Sequence, residues 1–168
     1  MRLITDAQEI GEIQRLLPSS LLRLDVRWED VLELKYSFRS DLIYMDVINP
    51  GNVARWPSIL KKMGEVECFL FNHISLLRGE VTDNCSVAFQ LSREDRSDEI
   101  LTKLTSYDSD RNEMMSVFYL TGMFGVVSPS KDWLLFAEPD GRAIFFSKTE
   151  MKYDALQSLW WVDKIVGN

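Results

Sequence analysis

Between residues 22 and 48, apolar and polar side chains alternate in three successive runs. Leu22, Leu24, Val26 and Trp28 are interleaved with Arg23, Asp25 and Arg27; Leu32, Leu34, Tyr36 and Phe38 with Glu33, Lys35, Ser37 and Arg39. After a Ser40-Asp41 turn, LIYMDVI supplies the third run. A period of two puts successive side chains on opposite faces of a strand, so the pattern predicts three neighbouring strands in an antiparallel meander.

Elsewhere the period changes. Ile10, Ile13, Leu16 and Leu17 recur at helical spacing, Thr5 and Gln8 have the form of a capping box, and Pro18 forbids continuation, so a helix is expected over about 6–17. Pro57 at a first helical position and Gly64 just past the end bracket a two-turn helix. Ser92 with Asp95, or Ser97 alone, can cap a helix carrying Ile100, Leu101 and Leu104 that ends near Thr105. Ser147 and Glu150 repeat the capping-box spacing before Leu156, Leu159, Trp160, Ile165 and Val166.

Near-continuous apolar runs between 66 and 91 predict strands covered on both faces, broken by turn residues at Arg78-Gly79 and Asp83-Asn84. The uncharged stretch 114–130 adds one or two strands. WLLFAEPDGRAIFFS reads as a hairpin joined through Glu138-Pro139-Asp140-Gly141. With no linker, repeat or low-complexity segment, residues 1–168 are expected to form a single α+β domain. It has a mainly antiparallel sheet (meander plus hairpins), helices near both termini and two shorter internal helices.

Composition adds little to this picture, but charge does. The 168 residues are 46% hydrophobic and 27% charged, as in ordinary globular chains. Acids outnumber bases 26 to 19, giving a net charge of -7, which disfavours nucleic acid and suits a basic protein partner. Two cysteines, Cys68 and Cys85, form no disulfide framework and lack zinc-site spacing. Asp6 and Glu9 fall where a secretory signal needs its apolar core, and the uncharged stretch is too short to span a bilayer. A cytoplasmic protein off the membrane is therefore expected.

Candidate chemistry is sparse. In YDSDRN (107–112), Asp108, Asp110 and Asn112 match the first three ligand positions of a calcium loop. Glu113 stands where the glycine should be and Tyr119 where the closing glutamate should be, so no metal is expected. His73, the sole histidine, lies five residues from Cys68, a separation that opposes a dyad in a strand or a helix. TGMFG (121–125) lacks phosphate-loop spacing and reads as a turn or bulge. No cofactor is implied.

Two charged stretches remain. Residues 47–64 are free of acids beyond the meander and place Arg55 and Lys61 around Trp56 at a helix start, a weak anion-binding candidate. Glu94, Asp95, Asp98, Glu99, Asp108 and Asp110 gather between 92 and 112, an acidic face suited to steering a cationic partner. Trp161, next to Trp160, is a candidate interface anchor. These residues favour a non-catalytic acidic protein-binding module, such as an inhibitor or immunity-type antidote to a basic partner. The alternative is a small enzyme or ligand-binding domain with a pocket of carboxylates and tyrosines. Nothing in the residues sets an oligomeric state.

Overall fold

The computed structural model describes residues 1–43, 50–80, 87–105, 107–108, 113–114, 123–138 and 141–160. Its centre is an antiparallel seven-stranded sheet in the order β1-β4-β3-β7-β8-β9-β2. The strands are β1 (Arg2–Ile4), β2 (Phe38–Ile43), β3 (Glu67–Asn72), β4 (Ala88–Ser92), β7 (Phe124–Val127), β8 (Trp133–Ala137) and β9 (Arg142–Ser147). A separate pair, β5 (Tyr107–Asp108) and β6 (Glu113–Met114), brackets the hexamer that resembled a calcium loop. The fold is α+β, as the sequence pattern predicts.

Helices cover both faces of the sheet. One face carries α1 (Ala7–Gln14), a 3-10 turn (Ser19–Leu21), α2 (Trp28–Leu32) and α5 (His73–Arg78), which bury Ile10, Ile13, Leu21, Trp28 and Leu76 against Phe71, Phe136 and Phe146. The other carries α3 (Pro50–Val53), α4 (Trp56–Met63), α6 (Ser97–Thr105) and α7 (Glu150–Trp160), with Trp56, Leu60, Ile100 and Leu156 packed on Leu70, Trp133 and Phe145. Trp56 stacks on Trp133 at 5.5 Å between ring centroids. Every residue of β7 and β8 is buried, which explains their continuous apolar text.

The meander is corrected over residues 22–37, and residues 44–48 of its third run lie outside the described residues. Residues 22–27 form no strand, and 28–32 are helical. β2 runs through the expected Ser40-Asp41 turn, from the end of the second run into the start of the third, and pairs with β9 rather than with a neighbour in sequence. The alternating segment instead drapes over the sheet, seating Leu21, Val26, Trp28 and Val31 while Leu22 and Leu24 stay exposed. Asp30 sets the local turn by accepting the Arg27 backbone N–H at 2.8 Å and the Arg23 guanidinium at 2.7 Å. A charge-alternating strand has no place inside a sheet covered on both sides.

Other elements differ in detail. Asp6, not Thr5, caps α1, accepting the backbone N–H groups of Gln8 and Glu9. HISLLR, expected within the strand region, is α5, capped by Asn72 and closed by Gly79 in the left-handed region. The helix of 56–63 closes at Gly64 as expected. The hairpin of β8 and β9 also forms as expected. Residues 161–168, including Trp161, Ile165 and Val166, lie outside the described residues.

Gly125 is not a turn residue. It lies within β7 directly opposite Phe71, whose ring occupies the space a β-carbon would need: the Phe71 Cζ would stand 2.4 Å from it. Phe71 is fully buried against Phe136 and has little room to yield. Gly125→Ala should therefore destabilise the fold by about 1–3 kcal/mol in urea unfolding, and Phe71→Leu in that background should recover part of the loss.

Candidate functional site

Among the described residues, ionisable groups converge in one buried place, between the end of α4, the β7–β8 turn and α7. Glu65, just past α4, accepts hydrogen bonds from Ser128 Oγ and Ser130 Oγ, both at 2.7 Å, from Trp133 Nε1 at 3.3 Å, and from Lys152 Nζ. Lys152 also reaches Asp132 at 3.0 Å and Ser130 at 3.2 Å. Burial pushes the Glu65 carboxyl up, but Lys152 and the two serines outweigh it and hold the group below the usual carboxylate range. Burial likewise pulls Lys152 down, and Glu65 with Asp132 more than restores it.

This protonation pattern decides what the cluster can do. A serine beside a lysine becomes a nucleophile only if the amine is neutral and takes the proton. Lys152 is held as an ammonium and Glu65 as a carboxylate, a weak base engaged by four donors. The cluster is a buried cross-link that joins the end of α4, the β7–β8 turn and α7. Lys152→Met should leave Glu65 buried without its cation and cost about 3–5 kcal/mol in chemical unfolding, whereas Glu65→Leu combined with Lys152→Met should recover most of that loss.

His73 is buried at the start of α5, where its Nε2 donates to the Leu21 carbonyl at 2.7 Å and its ring meets Phe136 edge-on. Cys68 is fully buried on the opposite face of the sheet, and burial first, then nearby carboxylates, push its thiol well up. Cys85 lies outside the described residues. Burial lowers the His73 imidazole below its ordinary 6.5, only partly opposed by the bond to Leu21. Below pH 6.5 the unfolded chain therefore takes a proton that the folded chain refuses, so stability falls as pH falls. Unfolding measured between pH 7.5 and 5 should show this slope, at most about 1.4 kcal/mol per pH unit, and His73→Gln should flatten it.

The residues proposed as docking groups separate on inspection. Asp95 is committed to the fold, accepting the Ser92 backbone N–H at 2.7 Å and pairing with the Met1 amino group. Asp98 pairs with Arg96 at 2.8 Å and Glu99 approaches it at 3.9 Å. Glu94 pairs with Arg93 at 3.2 Å and faces Lys61 at 4.0 Å. Among the described residues the acidic segment meets the basic patch at Glu94 and Lys61, and its other acids pair with Arg96 or with the Met1 amino group. Trp56 is buried beneath Trp133 and offers no flat face to an anion; Arg55 is exposed at the start of α4. Asp110 and Trp161 lie outside the described residues, as does the side chain of Asp108.

A different acidic feature emerges from the topology. Antiparallel pairing sets Arg2 opposite Gln90 and Gln90 opposite Phe69, and α1 packs over this corner of the sheet. The result is a groove of about 260 Å³ with an apolar floor of Ile13, Leu16, Phe69 and Pro129. Its polar wall holds Glu9, Glu12, Glu67, Arg2 and Gln90. Arg2 and Glu9 cancel through two hydrogen bonds of 2.9 and 2.6 Å, and Gln90 links Arg2 to Glu67. Neither Glu12 nor Glu67 makes an ion pair with a described residue. Glu67 stands directly opposite Ser92, where the turn bearing Glu94 begins, so the groove opens beside the acidic segment.

No sequence signal marked this groove, because its residues come from four separated stretches that only the fold brings together. No described helix is long and apolar enough to cross a membrane, and no cluster of three or more metal-ligating side chains occurs among the described residues. Comparison with family models, with curated proteins and with solved structures found no match to this chain.

Proposed function

We propose that this chain is a non-catalytic protein-binding module that docks a basic partner, as an inhibitor or immunity-type antidote does. The observation that carries the reading is the groove beside α1, where Glu12 and Glu67 stand over the apolar floor of Ile13, Leu16 and Phe69. A lysine or arginine side chain is the natural occupant, since its aliphatic stem lies along apolar surface while its charged head reaches a carboxylate. The net charge of -7 adds long-range steering toward such a partner.

The rival reading, a small enzyme or ligand-binding domain with a carboxylate and tyrosine pocket, has weaker support. The groove supplies carboxylates, but no tyrosine is among the described residues that line it.

Affinity capture from the native cell, at low and at high salt, tests the proposal. The expected result is a stoichiometric basic protein held at low salt, lost at high salt, and weakened at least tenfold by Glu12→Lys with Glu67→Lys. Retention of that partner by the double variant would remove the groove from the interface. Stabilisation by a metabolite with no protein retained would favour the rival.

A further inference from the structure

A second groove lies on the other side of α1 and has the opposite character. It holds about 560 Å³ between α1, the segment after the 3-10 turn and α5, and no acid is among the described residues that line it, although Asp25 and Asp30 stand behind Arg23. Its apolar surface comes from Leu22, Leu24 and Leu77, of which Leu22 is 41% and Leu24 56% exposed. Gln14 anchors the base by donating to the Leu76 carbonyl at 2.7 Å. Arg23 is already tied to Asp30 at 2.7 Å, whereas Arg15 is exposed and makes no ion pair with a described residue.

Gly11 lines the same groove, and nothing inside the molecule requires a glycine there. It sits in the body of α1 outside the left-handed region, and an added β-carbon would meet only the Arg15 guanidinium, at 3.8 Å, an ordinary contact. Glycine within a helix lowers the folding equilibrium about fivefold relative to alanine. What glycine provides is depth at the groove wall, the room needed where a bound chain passes close to backbone.

We infer that this groove docks an acidic amphipathic peptide segment of a partner, with apolar side chains seated on Leu22, Leu24 and Leu77 and a carboxylate paired with Arg15. The charge complementarity is specific to the place: the chain as a whole is acidic, yet of the two charged residues described in this lining, Arg15 is the one without an ion pair to a described residue, and it stands beside exposed leucines. This is the helix-in-groove mode, in which apolar anchors give affinity and a single ion pair fixes orientation. The site is distinct from the carboxylate groove across α1, and its test uses different residues.

The probe is a fluorescein-labelled twelve-residue peptide with leucines at helical spacing and glutamates elsewhere, compared with its lysine counterpart by anisotropy and by backbone amide shifts of the full chain. The glutamate peptide should bind at least tenfold more tightly at this site and move the amides of Gly11, Arg15 and Leu24. Arg15→Glu should reverse the preference. Gly11→Leu should raise the unfolding midpoint while weakening binding at least tenfold, which separates a blocked groove from a damaged fold. Equal binding of the two peptides here, shifts confined to other residues, or unchanged affinity in Gly11→Leu would overturn the inference. So would concentration-dependent self-association mapping to these amides, or anionic phosphatidylglycerol vesicles moving them when the peptide does not.

Discussion

A sheet covered by helices on both faces leaves little room for polar side chains except along its edges and beyond its strand ends. Much else in this molecule follows from that constraint. The central strands must be apolar on both sides, and β7 and β8 are buried at every residue. Helices must be supplied from short connections before, between and after the strands, so α4 and α7 meet over one face while α1 and α5 meet over the other. A central pair such as Phe71 and Gly125 is then set by volume alone, since neither strand can bend toward solvent to relieve a clash.

The buried Glu65–Lys152 cluster shows how such an interior accommodates charge. Two ions at the end of the apolar layer would be costly singly; together with Ser128, Ser130 and Trp133 they satisfy one another and join α4, the β7–β8 turn and α7. The pairing favours the charged form of each partner: Lys152 keeps its proton more firmly and Glu65 gives its proton up more readily than the free side chains do.

How much of this was legible beforehand depends on whether a feature is local. The glycine stop of the 56–63 helix and the β8–β9 hairpin are carried by neighbouring residues, and they read correctly. The alternation of 22–38 misled because periodicity reports which side chains are apolar, not which are buried. Leu22 and Leu24 have the period of a strand but remain exposed, while Val26, Trp28 and Val31 serve as anchors for a covering segment. Glu67 and Gln90 lie 23 residues apart, and only antiparallel register brings them to one wall with Arg2. Lys61 and Glu94 were read as parts of opposite patches and prove to be neighbours.

Local compensation also locates the surface available for recognition. Where acids and bases interleave along a turn, as from Arg93 to Glu99, Glu94, Asp98 and Glu99 each stand near an arginine within three residues, and Asp95 pairs with the Met1 amino group. Three charges set beside α1 by tertiary packing make no direct ion pair with a described residue: Glu12 and Glu67 on one side, with Glu67 linked to Arg2 through Gln90, and Arg15 on the other. Each stands over apolar side chains, which lower the local dielectric and strengthen whatever ion pair forms there. Helix α1 thus divides two grooves of opposite preference, and a partner that straddled it would have to present a cation and an anion in a fixed order. Such a requirement discriminates between partners more sharply than net charge can, because a partner with the order reversed meets like charge on both sides.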